Sequence, residues 1–158
     1  MEQLFLKFTE LASVMDFVYL DQLLAALLPM GVTVFLHAQG VSVTGRCIRR
    51  FAPSTGGAER QQPHILLLIA IVGILLVTHF LEVVAWALFY NLTGLLPDAR
   101  QAMDFSMNTY TTLGSSALAL PGRWVGFEGF EALTAMLMFG WSTALLATVV
   151  LRLHTIDD

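Results

Sequence analysis

Three long windows of this 158-residue chain contain no Asp, Glu, Lys or Arg, and they constrain its fold more than any other feature. The windows cover residues 22–45, 65–81 and 132–151. A helix of about 20 mostly apolar residues crosses the hydrocarbon core of a bilayer, and the second window reaches that length when it continues through residues 82–90. The sequence therefore predicts an all-α membrane protein with three spanning helices.

The composition agrees with a membrane environment and excludes some partners. Hydrophobic residues make up 56% of the chain, charged residues 13%, and the mean hydropathy is +0.71. The formal net charge is -4 and the pI is near 5.4, so no basic surface is available for a nucleic acid. Membrane lipid is an expected partner, whereas nucleic acid and a soluble substrate are not.

The basic residues predict how the chain is oriented. Arg46, Arg49, Arg50 and Arg60 fall between the first and second predicted spans. Short loops rich in Lys and Arg stay in the cytoplasm. With three spans, the N-terminus then lies outside, and the C-terminal tail, which begins with Arg152, is cytoplasmic. We expect a multi-pass protein of the cell inner (plasma) membrane.

The segment before the first span has helical periodicity. Apolar residues recur at alternating intervals of four and three from Leu4 to Val18, which is typical of an amphipathic helix. This helix would lie on the membrane interface or on a neighbouring subunit, or serve only as a leader to the span.

The sequence predicts four segments: an amphipathic helix (1–17), a first span (18–45), a cytoplasmic linker (46–63) and a module (64–153). The module contains a second span (64–93), a short helix (98–112), a loop (112–117) and a third span (131–153).

The short helix between the second and third spans is too short to cross a membrane. Asp98, with Gln101 three residues later, predicts a capped start, and Gly114 predicts the end. About 14 helical residues reach roughly 21 Å. A short helix followed by an irregular loop predicts a re-entrant hairpin, because irregular backbone at membrane depth must be buried in protein or line a watery cavity.

The loop that follows this helix has the composition of an ion pathway. Residues 109–118 read TYTTLGSSAL. Successive carbonyls and a threonine hydroxyl can replace water around a cation, and the negative end of the short helix dipole faces that position. One chain cannot enclose such a path, so the sequence predicts a ring of copies.

The order of span, short helix, TYTTLG, outer loop and span resembles the pore-loop potassium channels. The resemblance is to the small bacterial two-helix ion-channel class with one extra N-terminal span, and it covers roughly residues 64–153. It is strongest in YTTLG and in LMFGWSTALL. The resemblance implies a homotetramer with the filter on the four-fold axis, a third span that lines the inner pore, and Gly140 as the gating hinge.

The filter matches the family in its inner half only. Thr112, Leu113 and Gly114 match the start of the family's Thr-Val-Gly-Tyr-Gly, but Ser115-Ser116-Ala117 replaces its Tyr-Gly-Asp. Serine is strained at positive φ, where glycine is not, so we expect a remodelled outer half and weakened K+ selectivity. The predicted ion-conducting filter is Thr112, Leu113, Gly114, Ser115 and Ser116, with filter support from Thr111, Tyr110 and Asp104.

The expected function is therefore a cation channel that passes K+ and Na+. No cofactor is expected, and no metal other than the permeant K+ or Na+ ions. The alternative is a non-conducting structural or regulatory membrane protein on the same scaffold. An enzyme is not expected, because His79 and Glu82 accompany no nucleophile motif or set of zinc ligands.

His79 and Glu82 are ionisable residues inside the second span. They stand at i and i+3 and so share a helical face. One interpretation is a pH-sensing role, since histidine titrates near neutrality. The favoured interpretation is inter-helix pairing, which would tie the span to Tyr110, Asn108 or Ser106 of the short helix.

Other side chains in the spans are given structural roles. His37 is assigned to the cytoplasmic end of the first span, so it is not expected to share a metal ion with His79. Trp86, Phe89 and Tyr90 are assigned to an aromatic belt at the outer membrane interface.

Overall fold

A computed structural model describes residues 1–3, 5–7, 9, 18–51, 61–114 and 118–157. Within these residues the long elements are all helices, which confirms the predicted all-α fold. The candidate membrane spans are Leu20–Arg50, Ile65–Leu92 and Gly122–Arg152. The helices are α1 (Val18–Phe51), α2 (Gln61–Leu92), α3 (Ala99–Tyr110) and α4 (Glu128–Asp157), and a 3-10 turn (Gly122–Trp124) precedes α4.

The first helix extends beyond the predicted end of the first span. It reaches Phe51 instead of residue 45, so Arg46 lies on the helix, where its guanidinium donates to the Ser42 hydroxyl at 3.0 Å. Basic side chains near a helix C-terminus are favourable because they face the negative end of its dipole. Residues 52–60 of the predicted linker, and most of the predicted N-terminal helix, lie outside the described residues.

The helices pack in a continuous series of contacts. The second helix contacts both α1 and α3, and α4 also contacts α1 and α3. The crossing of α1 and α2 is close at Gly40, where an added Cβ would overlap the side chain of Thr78. A glycine at this position lets the two backbones approach, as small residues commonly do between membrane helices.

Aromatic side chains form the core on the side where α2 ends. Trp86 and Tyr90 are fully buried, with ring centroids 6.2 Å from that of Phe127, and the Tyr90 ring lies 5.2 Å from Phe105. The aromatic belt predicted for Trp86 and Tyr90 was therefore wrong. The cause is the coverage of this part of α2 by α3 and by the segment before α4, which places these rings inside the protein.

The third helix has one buried face and one exposed face. Its N-cap is Asp98, whose Oδ1 accepts the backbone N–H of Gln101 at 2.8 Å. It ends at Tyr110, earlier than predicted. The buried side chains follow helical spacing and are Ala102, Phe105, Ser106, Thr109 and Tyr110.

Candidate functional site

The chain turns sharply after α3, at the predicted filter. The N–H of Thr112 donates to the carbonyl of Thr109 at 2.9 Å, and that of Gly114 to Asn108 at 3.1 Å. Thr112 and Gly114 have φ angles of 60° and 74°. The turn is not covered by other parts of the single chain, since Leu113 is 79% exposed. The inner half of the predicted filter is thus an exposed turn with left-handed backbone at two of its three residues.

The remaining predicted filter residues contribute less to this geometry. The Thr111 hydroxyl donates to the carbonyl of Met107 at 2.7 Å, within its own helical turn. Asp104 is exposed on the face of α3 that this chain leaves uncovered. Ser115 and Ser116 lie outside the described residues.

A buried polar cluster lies behind this turn and draws on all four helices. We call it the His–Glu cluster. Its members are His37 from α1, His79 and Glu82 from α2, Tyr110 from α3 and Ser142 from α4. The side chains of His37 and Glu82 are fully buried, and that of His79 is 14% exposed.

The carboxylate of Glu82 is the centre of the cluster. Its Oε1 lies 2.9 Å from Nδ1 of His37, and its Oε2 lies 3.3 Å from Nδ1 of His79. The Tyr110 hydroxyl donates to Oε2 and lies 3.0 Å from Nδ1 of His79. On the opposite ring edges, Oγ of Ser142 is 3.0 Å from Nε2 of His79 and 3.4 Å from Nε2 of His37.

This geometry agrees only in part with the sequence predictions. His79 and Glu82 do share a face and do meet Tyr110, whereas Asn108 bonds within its own helix. The separation expected between His37 and His79 was wrong, since their ring centroids are 5.3 Å apart. Because α1 continues to Phe51, His37 lies near its middle and faces α2. No sequence pattern identified Ser142, because single serines are common in membrane helices, where they hydrogen-bond to neighbouring helices.

A second buried carboxylate, at Glu131, was missed by the sequence analysis. The Tyr90 hydroxyl donates to its Oε2 at 2.7 Å, and Oγ of Ser106 lies 2.5 Å from its Oε1 and 2.9 Å from the carbonyl of Val83. Glu131 is fully buried. The available signal was an acidic residue directly before a long apolar window, since such a charge is usually paired inside the protein. This Tyr90–Ser106–Glu131 group connects α2, α3 and α4.

The carboxylates of Glu82 and Glu131 each accept a hydrogen bond from a side chain on the buried face of α3. Burial, and then the hydrogen bond to Glu82, raise the pKa of the Tyr110 phenol, so it keeps its proton and remains a donor. Tyr110 stands two residues before Thr112, the first residue of the turn with positive φ. The position of the exposed turn is therefore linked to the His–Glu cluster.

Comparisons with known proteins add no relative. No family model, no curated protein and no solved structure matches this chain. The exposed turn and the two carboxylate clusters are therefore the basis for assigning a function.

Proposed function

We propose that this chain is one subunit of a homotetrameric pore-loop channel of the plasma membrane, which passes K+ and Na+ with weakened selectivity for K+. The observation that carries the proposal is the backbone at Thr112, whose φ is 60° on an exposed segment. A left-handed conformation costs roughly 1–2 kcal/mol for a residue with a Cβ. Strain of this kind clusters at functional sites, where the surroundings enforce it.

The contacts of Tyr110 support a re-entrant position for α3. The α3 helix begins shortly after the end of α2 at Leu92. Its last residue, Tyr110, nevertheless hydrogen-bonds to His79, which lies far back along α2. The length of α2 between His79 and Leu92 is roughly 20 Å at 1.5 Å per residue. The turn after α3 would then lie at membrane depth, where its exposed backbone groups need protein or water as partners.

A tetramer would supply those partners. In it, the carbonyls of Thr112 and Leu113 and the Thr112 hydroxyl form the inner ion sites, and the C-terminal end of the α3 dipole faces the cation. Neighbouring subunits cover the exposed face of α3, and α4 lines the inner pore. Leu133, Met136 and Leu137 on α4 are 56%, 51% and 68% exposed in the single chain, which leaves apolar surface for such contacts.

The weakened selectivity follows from the outer half of the filter. Ser115 and Ser116 stand where the resembling channels have tyrosine and glycine. Serine lacks the aromatic ring that braces that filter, and it is strained in the backbone conformation that glycine allows. The outer ion sites would therefore be wider and less specific for K+ than the inner ones.

Reconstitution of the full chain in planar bilayers tests the proposal. We expect cation current, with a reversal potential near zero between equal K+ and Na+ on opposite sides. Gly114→Pro should abolish the current, because proline cannot adopt the φ of 74° found there. Silence from a verified tetramer contradicts the channel and favours the non-conducting scaffold, and a monomeric protein in mild detergent contradicts the assembly.

The proposed orientation has its own test. In a Cys47→Ser background, Ala99→Cys would place a thiol at the exposed start of α3 and Arg49→Cys one at the exposed end of α1. With the N-terminus outside, a membrane-impermeant maleimide should label only the first variant in intact spheroplasts. Labelling of the second variant alone would show the reverse orientation.

A further inference from the structure

We propose that His37, His79 and Glu82 bind a transition-metal ion of the Zn2+ class inside each subunit. The three side chains each offer a ligand atom, and these atoms all lie within 4.8 Å of one another. They come from two helices that cross closely, so they are held in place by the packing of α1 on α2. This site does not depend on ion conduction and goes beyond the proposed channel function.

The two imidazoles present the same edges to the same groups. The Nδ1 atoms of His37 and His79 lie 2.9 Å and 3.3 Å from the Glu82 carboxylate. Their Nε2 atoms lie 3.4 Å and 3.0 Å, respectively, from Oγ of Ser142. A metal-bound histidine donates its other ring N–H to a hydrogen-bond acceptor, which fixes the ring. A serine oxygen has two lone pairs and can accept from both Nε2–H groups. Ser142 is therefore suited to orient both rings toward one ion.

The arrangement of protons that suits a metal ion is the one in which both Nε2 atoms donate to Ser142. If both Nδ1 atoms carried protons toward Glu82, both Nε2 atoms would be acceptors, and Ser142 has only one hydroxyl proton for the two of them. If both Nε2 atoms donate to Ser142, both neutral rings direct Nδ1 lone pairs at a carboxylate. A bound cation removes the repulsion of this second arrangement and leaves every ring nitrogen with a partner.

Within the described residues, the hydrogen-bond partners of the Glu82 carboxylate include no permanent counter-ion. These partners are His37, His79 and Tyr110, and none of them carries a fixed positive charge. An ionised carboxylate inside a membrane span is costly unless it is paired. A divalent cation with two neutral imidazoles would supply that pairing.

The ligand chemistry selects the class of metal. Two imidazole nitrogens and one carboxylate match the His2Glu set of zinc sites, whereas Mg2+ and Ca2+ prefer oxygen ligands. Zinc–ligand bonds of roughly 2.0–2.2 Å place tetrahedral ligand atoms about 3.3–3.6 Å apart. The distance from Glu82 to His79, 3.3 Å, lies in this range, and the distance to His37, 2.9 Å, is shorter. The Tyr110 oxygen, 3.0 Å from Nδ1 of His79, is the nearest candidate for a fourth ligand.

Cobalt binding to the purified full chain tests the site. Co2+ reports tetrahedral nitrogen and oxygen ligation through its visible absorption, and Zn2+ should displace it. We expect one Co2+ per chain after treatment with a chelator, with absorption typical of four-coordinate cobalt. His37→Asn, His79→Asn and Glu82→Gln should each weaken binding by about tenfold or more, and Ser142→Ala by about 10–100-fold through loss of ring orientation.

The chain provides a matched control in its other buried carboxylate. Glu131 is equally buried, and its hydrogen-bond partners in the described part of the chain are a tyrosine and a serine, with no imidazole among them. Glu131→Gln should retain Co2+ binding. Ser142→Ala is the mildest change to the site, so it keeps the test valid if a ligand variant does not fold. No Co2+ binding by the wild type, or equal binding by the wild type and Ser142→Ala, would overturn the site.

Discussion

Nδ1 of His37 in α1 lies 2.9 Å from Oε1 of Glu82 in α2, and both side chains are fully buried. This contact makes α1 part of the same polar interior as α3. The Tyr110 hydroxyl of α3 donates to the other oxygen of the same carboxylate. The N-terminal span is therefore not a peripheral addition to the hairpin of α2, α3 and α4, because it shares a buried charge with that hairpin.

Loss of the Glu82 carboxylate should destabilise the fold strongly. Glu82→Ala removes the acceptor of His37, His79 and Tyr110 at once. Inter-helix hydrogen bonds in membranes contribute on average about 0.6 kcal/mol each, and a buried polar group left without its partner costs about 1–3 kcal/mol, so we expect a loss of roughly 2–5 kcal/mol. Steric trapping in the presence of a chelator measures the free energy of unfolding without a contribution from metal.

Glu128→Ala is the control for this change. Glu128 is half-buried, and its carboxylate accepts the backbone N–H of Gly126 at 3.1 Å in a solvent-exposed hydrogen bond. Its replacement should change the free energy of unfolding by no more than about 0.5 kcal/mol. Equal effects of the two substitutions would show that the Glu82 contacts contribute nothing to stability.

The group around Glu131 should show energetic coupling. Tyr90→Phe removes the hydroxyl that donates to Glu131 at 2.7 Å and leaves the ring in the aromatic core. In a double-mutant cycle with Glu131→Ala, which removes the acceptor, we expect a coupling energy of about 0.6–1.7 kcal/mol. Tyr90→Phe with Ser142→Ala serves as the uncoupled pair, since Ser142 belongs to the other cluster. A coupling energy near zero for Tyr90 and Glu131 would contradict the hydrogen bond.

The sequence predicted the spans and the start of α3, because both depend on local properties of the chain. Long apolar windows identify membrane helices whatever their partners, and Asp98 caps α3 through its own neighbour Gln101. The predicted ends of the helices were less accurate. Arg46 was assigned to a loop by its charge, although a helix terminus accepts basic residues well.

The sequence predicted the pairing of His79 and Glu82 with Tyr110, but it did not predict the rest of the buried clusters. The rest depends on how the helices are rotated against one another. The window hydropathy of α1 does not show that His37 faces α2, and nothing local pairs Tyr90 with Glu131. The same limit explains the wrong prediction for Trp86. Tryptophan is typical of membrane interfaces, but here α3 and the segment before α4 bury it. Long-range packing decides each of these cases.

The crossing of α1 and α2 should not tolerate a side chain at Gly40. Gly40→Ala places a methyl group against the side chain of Thr78, and overpacking of this kind costs about 1–3 kcal/mol. Thr78→Ala should restore part of the loss, since it removes the two atoms that the new methyl group meets most closely. Thermal unfolding of the two single variants and the double variant measures the rescue. If the double variant loses as much stability as the two single variants together, the contact between position 40 and Thr78 is contradicted, and α1 and α2 lie further apart there.

Gly140 should matter for gating and not for folding. A Cβ added at Gly140 meets no other heavy atom of the described chain within 4 Å, and the position is exposed on α4. Gly140→Ala should therefore keep or raise stability, by up to about 1 kcal/mol for a helical site. If Gly140 is the hinge of the proposed channel, the open probability should fall. Gly73→Ala in α2, where an added Cβ is equally unobstructed, should leave the open probability unchanged.

Thr112 should influence ion preference through its hydroxyl more than through its backbone. Thr112→Ala keeps a Cβ at the residue with φ 60°, so the strained turn is preserved while the proposed oxygen ligand is lost. Under bi-ionic K+ and Na+, we expect the reversal potential to shift and block by large cations to change, since the inner sites lose one ligand from each subunit. Thr93→Ala removes a hydroxyl just after α2, which donates to the carbonyl of Phe89 at 2.7 Å, and it should shift neither quantity. An unchanged reversal potential and unchanged block in Thr112→Ala would place the ion path elsewhere, because a hydroxyl that contacts the permeant ion cannot be removed without a change in its coordination.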